Sequence, residues 1–267
     1  MKPLISEFSY GYAVTDELIH GLGTPITAAP VFPSLYQEGK AGGGYDMMLK
    51  GPAVPLFIQF KVSHCLKKGN AAEAKDGFLA TPYYRMHLRS AMHSNQHQLL
   101  LELESGGNEV FYCAPAFHKE QELNDAYLNQ KVCARSIWLL PSSIGPLPDA
   151  KPHYASFQNE QADHFYFCSD PQRVSADVTF AAFVERVLGK LTASQVQASE
   201  VDSFATLADE LVDIASSRHL LGPAIANERR IAELQPVERA SVLATVLFDS
   251  HLYIARLNEA AGPRGNV

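Results

Sequence analysis

The sequence has few cysteines and no long apolar run, and both absences limit what the protein can be. Its cysteines are widely spaced and form no CxxC pair, so a zinc ribbon or a disulfide scaffold is not indicated. They are Cys65, Cys113, Cys133 and Cys168. No apolar run approaches the ~20 residues of a membrane span, and Glu7 and Asp16 interrupt the segment where a signal peptide would be apolar. We expect a cytoplasmic protein with reduced, buried thiols and no membrane partner.

Common functional signatures are missing as well. The chain has neither the GxSxG elbow of a Ser-His-Asp hydrolase nor a GxxxxGK[ST] phosphate loop. His93 and His97 have the i, i+4 spacing of a helical zinc pair, but there is no HExxH motif and no obvious third ligand. Gln96 or His97 is expected either to touch a functional site or to satisfy buried backbone groups. A net charge of -7 excludes a strongly basic nucleic-acid coat but allows a local basic patch.

The pattern of apolar residues changes near residue 175. Before this point, short apolar runs alternate with Gly, Pro and Asn turns, and after it apolar residues recur at helical spacing. Predicted helices cover roughly 14–22, 82–104, 120–129, 180–191, 204–214 and 236–257. Predicted strands cover roughly 45–50, 56–62, 109–114, 136–140, 154–157 and 165–168. The pattern predicts an α/β domain over residues 1–175 and a helical extension over 176–267, which could contact a partner protein or form a homodimer.

The predicted strand 56–62 carries the residues of greatest chemical interest. Alternation places Leu56, Ile58, Phe60 and Val62 on one face and Phe57, Gln59 and Lys61 on the other. Asp46, on the preceding predicted strand, could bring a carboxylate beside Gln59, and Mg²⁺ prefers such oxygen ligands. Glu17, or alternatively Glu38, could complete the metal shell, and Lys61 would lie beside a metal-bound water. On spacing alone, a strand with a solvated Gln and Lys is the simpler interpretation.

A family resemblance strengthens the functional interpretation. The run GYDMML followed by PLFIQFKVS resembles the core of the PD-(D/E)XK nuclease superfamily. The segment FSYGY, with Thr15, Asp16 and Glu17 after it, resembles the first helix of that fold. The resemblance implies a restriction-endonuclease-like mixed sheet flanked by helices. In this sequence Gln59 stands where the family usually has an acid, which removes one charge from the predicted metal site.

The resemblance also implies a reaction and its residues. Asp46, Gln59 and one of Glu17 or Glu38 would hold Mg²⁺ or Mn²⁺, and Lys61 would position the water that attacks a phosphodiester. DNA is favoured over RNA as the substrate, and a small nuclease of this kind suggests defence against foreign DNA. Two alternatives stay open: a non-catalytic nucleic-acid-binding or assembly subunit with the same fold, and an RNase of that fold.

Local charge gives independent support for a nucleic-acid substrate. Residues 40–89 contain eight basic and three acidic residues in a chain that is acidic overall. We expect phosphate contacts from Lys67, Lys68, Arg85 and Arg89. The alternatives are a loop whose lysines are merely solvated, and a helix whose arginines face water.

Overall fold

The computed structural model describes residues 1–21, 53–92, 94–167, 170–194, 201–218 and 229–256. The described helices, α1 to α9 in chain order, are Glu7–Gly21, Ala72–Lys75, Gln96–Ser105, Glu120–Leu128, Pro141–Ile144, Phe180–Ser194, Val201–Ser217, Arg229–Ala232 and Pro236–Phe248. The described strands, β1 to β9, are Ala53–Phe60, Ser63–Leu66, Tyr83–Leu88, Glu109–Pro115, Ser136–Leu139, His153–Phe157, His164–Phe167, Gln172–Ser175 and His251–Arg256. Among the described helices, none combines the length and the apolar content that crossing a bilayer requires.

The strands form two sheets that meet at the end of β1. The first is a four-stranded mixed sheet of order β5-β4-β1-β9, in which β1 runs parallel to β4 and antiparallel to β9. The second is an antiparallel sheet of order β2-β3-β6-β7-β8. Only Lys61 and Val62 separate β1 from β2, so the chain passes from one sheet to the other at the predicted catalytic lysine. The predicted α/β class, with a mixed sheet flanked by helices, is confirmed.

Both faces of the mixed sheet are buried. Leu56 and Ile58 pack with Val14 of α1 and Phe183 of α6, while Phe57 belongs to a second core. That second core includes residues of α3, α7, α9 and the antiparallel sheet. The predicted alternation along β1 is therefore confirmed. The face with Gln59 is not the solvated side of an amphipathic strand, because helices cover both sides of the sheet.

The predicted helix over 82–104 is wrong. The structure divides this segment into strand β3 and helix α3. In β3, Met86 and Leu88 are buried while His87, between them, is exposed, which is the period of two that a strand requires. The helical pattern begins at Gln96, after the polar residues that follow β3. The first half of the segment is a strand because it pairs with β2 on one side and β6 on the other, and this tertiary packing outweighs its local helical pattern.

The segment after residue 175 is helical for most of its length but ends in the central sheet. Helices α6, α7 and α9 follow the predicted apolar stripes, which pack inside the chain through residues such as Phe183, Leu211 and Leu243. The helix predicted over 236–257 ends at Phe248, and Ile254 lies in β9, beside β1. Asp249 terminates α9 with a left-handed backbone at φ 50°. The expected helical extension thus contributes one strand of the mixed sheet.

Three of the four cysteines lie in the described part of the chain. Cys65, Cys113 and Cys133 are free thiols there, and their burial was predicted. Cys168 lies outside the described residues. The core around these three thiols is therefore built by packing.

Candidate functional site

Gln59 and Lys61 lie at the end of β1 with both side chains buried. They are on the face of the mixed sheet that receives Phe57 and helix α3, as the alternation predicted. The backbone N–H of Lys61 continues the ladder with β4 by donating to the carbonyl of Cys113 at 2.9 Å. Asp46 and Glu38, the other predicted metal ligands, lie outside the described residues.

The side chain of Gln96 connects these residues. Gln96 is the first residue of α3 and is buried. Its Oε1 accepts a hydrogen bond from Lys61 Nζ at 3.1 Å, and its Nε2 donates to Gln59 Oε1 at 2.7 Å. The same Nε2 lies 2.9 Å from Asp249 Oδ2, to which it also donates. One amide therefore orients the predicted catalytic lysine, a predicted metal ligand and a carboxylate at the start of β9.

Asp249 and Arg89 connect this buried network to solvent. Arg89 Nη2 lies 2.8 Å from Asp249 Oδ2, and the two side chains are 53% and 51% exposed. Asp249 reaches the site because the left-handed residue after α9 turns the chain into β9, the antiparallel neighbour of β1. We call the set of Gln59, Lys61, Arg89, Gln96 and Asp249 the Lys61 cluster. It has two buried amides and a buried ammonium at one end and an accessible ion pair at the other.

Burial dominates the electrostatics of the Lys61 cluster. It lowers the pKa of the Lys61 ammonium, because a charged group loses hydration there. The positive charge of Arg89 lowers this pKa further, while the negative charges of Glu7 and Asp249 raise it. Burial likewise lowers the pKa of His251, against the opposing charge of Asp249. The Lys61 ammonium, at the end of strand β1, therefore loses its proton more readily than the ammonium of a solvated lysine.

Helix α1 contributes a different carboxylate from the predicted one. The N-terminal half of α1 lies against the end of β1, where the rings of Tyr10 and Phe60 meet edge to face at 6.0 Å. This contact places Glu7, in the first turn, within electrostatic range of Lys61. Sequence reasoning overlooked Glu7, although it directly precedes the FSYGY segment that carried the family resemblance.

Glu17 is not brought to the Lys61 cluster. Its Oε2 accepts a hydrogen bond from the backbone N–H of Val132 at 2.6 Å, and burial raises the pKa of its carboxyl. Val132 belongs to the core on the α1 face of the sheet, opposite to Gln59. Ten residues of helix separate Glu17 from Glu7 by ~15 Å along the axis. The helix predicted over 14–22 is the second half of α1, which begins seven residues earlier, and the acid within electrostatic range of Lys61 is in that earlier first turn.

The four predicted phosphate-binding residues have different surroundings. Lys67 and Lys68 are exposed directly after β2, as a docking role requires. Arg85 Nη2 lies 2.6 Å from both carboxylate oxygens of Glu73, so a nearby acid neutralises its charge. Arg89 is the one of the four that the structure brings to the Lys61 cluster.

The polar residues at the start of α3 have different roles. Gln96 contacts the predicted site residues Gln59 and Lys61, and it also donates to the backbone carbonyl of Phe248 at 3.4 Å. His97 is buried and packs its ring 5.9 Å from that of Tyr112, with Nδ1 2.9 Å from the Tyr112 hydroxyl and Nε2 2.7 Å from the Gly145 carbonyl. Its role is structural. His93 lies outside the described residues.

The oxygen atoms near Lys61 fit a hard divalent cation in their chemistry. The described residues contain no group of three or more His, Cys, Asp or Glu arranged to hold a metal. The Lys61 cluster supplies the amide oxygen of Gln59 and the carboxylate of Asp249, and Glu7 acts on the same lysine. These are the ligand types that Mg²⁺ prefers over the nitrogen and sulfur ligands of zinc.

Comparison with known proteins adds no relative. No family model matches the chain, and no curated protein or solved structure matches it. The assignment of function therefore depends on the Lys61 cluster and its surroundings.

Proposed function

We propose that the protein is a divalent-metal-dependent nuclease that hydrolyses phosphodiester bonds, with DNA favoured over RNA. One observation carries the proposal: Gln59 and Lys61, spaced as in the PD-(D/E)XK superfamily, share a hydrogen-bond network with the carboxylate of Asp249. A lysine, an amide oxygen and a carboxylate at the end of a central strand are the groups that metal-assisted hydrolysis uses. A restriction-endonuclease-like arrangement of the fold belongs to the same proposal.

The metal would be Mg²⁺ or Mn²⁺, held by oxygen atoms. Gln59, Asp249 and Glu7 are the candidate ligands among the described residues, and Asp46 stays a predicted ligand. A bound divalent cation supplies Lewis acidity, which lowers the pKa of water and stabilises charge on a phosphate. Because Gln59 is neutral, this ligand set favours a cation that keeps part of its hydration shell.

The residues of the chain have distinct roles in this proposal. Lys61 would hold the attacking water and stabilise negative charge on the reacting phosphate, and its lowered pKa eases exchange of a proton. Gln96 would fix the direction of the Lys61 ammonium. Arg89, at the accessible end, matches a phosphate with its planar guanidinium. The buried location of Lys61 strengthens its own interactions relative to water.

Cleavage assays test the proposal. Plasmid, single-stranded DNA and tRNA are incubated with Mg²⁺, Mn²⁺ or EDTA. We expect metal-dependent cleavage of DNA that Lys61→Ala lowers by about 10²-fold or more while binding is retained. Lys68→Ala, which alters an exposed lysine on the β2 side, is the matched control and should keep single-turnover cleavage at saturating substrate. Cleavage of tRNA alone would instead identify an RNase.

A non-catalytic binding subunit is the second candidate. One observation favours it: Gln96 occupies hydrogen-bonding positions on both Gln59 and Lys61, so the chain itself engages the groups that a metal and a water would use. Binding of nucleic acid in EDTA, together with no cleavage under any of the metals, would select this function.

A role in defence against foreign DNA belongs to the nuclease proposal. Its test compares phage plating on cells that express the wild-type chain or Lys61→Ala. Protection by the wild type that the variant loses supports the role, and equal protection by both contradicts it.

A further inference from the structure

The outward face of the antiparallel sheet carries a group of rings beside the Lys61 cluster. The strand register pairs His64 of β2 with Arg85 of β3, and His87 of β3 with Tyr154 of β6. Residues opposite each other in neighbouring strands point to the same side of a sheet, as do residues two apart in one strand. These four side chains therefore share the face opposite to Met86 and the core. We call them the ring face.

The ring face is a continuous set of contacts. The rings of His64 and His87 lie 4.4 Å apart, and those of His87 and Tyr154 meet edge to face at 5.2 Å. The guanidinium of Arg85 lies over the Tyr154 ring at 4.2 Å. His87 is exposed and the other three are partly exposed. Planar groups are thus presented to solvent on a sheet whose other side is fully packed.

The ring face combines uncharged histidine rings with nearby positive charge, and this combination favours an anionic ligand. Although part of the His87 side chain is exposed, its ring packs against those of His64 and Tyr154 and loses hydration there. This partial burial, and then the charges of His64 and Arg85, lower the pKa of His87 to about 4, so its ring is neutral at pH 7. The pKa of His64 is lowered by burial and by positive charges nearby that include Lys2 and Arg85. Glu73 offsets the charge of Arg85, so Lys2 near His64 and Arg89 beyond His87 are the cations available to phosphates. Uncharged imidazoles between these two cations suit stacked bases joined by phosphates.

The chain connects the ring face to the Lys61 cluster in two places. His64 follows Lys61 by three residues, across the turn from β1 to β2. His87 precedes Arg89 by two residues at the end of β3, and Arg89 contacts Asp249. A ligand that lies along β3 thus leads from the rings to the accessible end of the cluster.

We propose that the ring face binds single-stranded nucleic acid and guides it to the Lys61 cluster. Bases stack on His87 and Tyr154, and the phosphates run toward Arg89. The strand must be single because base faces are accessible for stacking only when bases are not paired within a duplex. This inference rests on the proposed function, since it names the form of nucleic acid that the same site receives.

Binding measured in EDTA tests the inference separately from cleavage. Fluorescently labelled oligo-dT, oligo-rU and a DNA duplex are titrated with the full chain, and anisotropy gives the Kd. We expect His87→Ala and Tyr154→Ala each to weaken single-strand binding about tenfold, the lower range for loss of one stacked base. Tyr127→Ala, which removes a partly exposed ring on α4, is the matched control and should leave Kd within about twofold.

A conservative variant separates stacking from loss of fold. His87→Phe keeps a planar ring and should retain most of the affinity that His87→Ala loses. Equal losses on the duplex and the single strand, equal losses in His87→Phe and His87→Ala, or an unchanged Kd in His87→Ala would each overturn the inference. Comparison of oligo-dT with oligo-rU shows which sugar the face accepts. A chain that binds as expected but never cleaves would refute the nuclease proposal alone.

Discussion

At the residue scale, the single amide of Gln96 connects α3 to two distant parts of the chain, the end of β1 and the turn between α9 and β9. It contacts Lys61, Gln59 and Asp249, and its Nε2 also lies 3.4 Å from the carbonyl oxygen of Phe248. A buried polar group that loses its partner costs more than the hydrogen bond contributed, because it cannot return to water. The stability of the site and the direction of the Lys61 ammonium therefore both depend on this amide.

We expect Gln96→Met to lower the free energy of unfolding by about 1–3 kcal/mol, since it keeps the side-chain length but leaves Lys61 and Gln59 without their partner. Urea unfolding monitored by circular dichroism measures this loss. Gln98→Met is the control on the same helix, because Gln98 is partly buried and donates to Glu102 at 3.2 Å within that helix. The control should change stability by about 0.5 kcal/mol or less. Equal effects at the two positions would show that Gln96 has no special role.

His87 makes a second prediction at this scale, concerning acid. Its pKa in the folded chain is lowered to about 4, whereas an unperturbed histidine titrates near ~6.5. Between these values the unfolded chain binds the proton more readily, so stability falls as the pH is lowered from 6.5 to 4. We expect a shallower loss of stability over this range in His87→Gln. An NMR titration that placed His87 near pH 6.5 would contradict the assignment.

At the scale of single elements, Gly11 allows helix α1 to pack closely against strand β1. A Cβ atom added to Gly11 would lie 2.8 Å from Cδ2 of the Phe60 ring, closer than real side chains approach. Phe60 is buried between Tyr10 and Tyr253 and has little room to move. The absence of a side chain at Gly11 thus brings the first turn of α1, with Glu7, near Lys61.

We expect Gly11→Ala to lower the free energy of unfolding by about 1–3 kcal/mol, because overpacking outweighs the gain in helix propensity. Gly189→Ala is the matched control in α6, where the added Cβ meets no atom within 4 Å. This control should raise stability by about 0.5–1 kcal/mol. Thermal unfolding compares the two variants. A Gly11→Ala chain as stable as Gly189→Ala would mean that α1 does not approach β1 so closely.

At the scale of the whole molecule, the C-terminal strand closes the mixed sheet. Strand β9 pairs with β1 from Ala53 to Ile58, and its residues Leu252, Tyr253 and Ile254 are buried. The same segment supplies Asp249 to the Lys61 cluster. Folding and assembly of the site therefore depend on the pairing of β9 with β1, two strands that are far apart in the sequence.

We expect a chain that ends at Ser250 to lose cooperative unfolding, because three buried side chains worth about 1.5–3 kcal/mol each are comparable to the whole stability of a domain. It should also aggregate through the exposed edge of β1. A chain that ends at Arg256 keeps β9 and is the control, with a normal thermal transition. Retained cooperative unfolding in the shorter chain would show that β9 is dispensable.

The sequence by itself determined the elements whose pattern is local. The alternation along β1, the turn-bounded strand at Glu109–Pro115 and the helix that begins at Pro236 are all visible in short windows, because backbone geometry imposes a period of two or 3.6 residues. The same alternation placed Gln59 and Lys61 on one face, and the family resemblance then identified them as candidate site residues. Where a window held a mixed signal, as over 82–104, the prediction was wrong.

Only the tertiary structure decided which distant residues meet at the site. Asp249 follows Gln59 by 190 residues, and no local period relates them; they meet because β9 adds to the edge of β1. The choice of Glu7 over Glu17 likewise depends on how α1 rotates when Gly11 packs on Phe60. Long-range contacts form by burial of apolar surface, which is not directional, so the sequence pattern specifies faces but not partners.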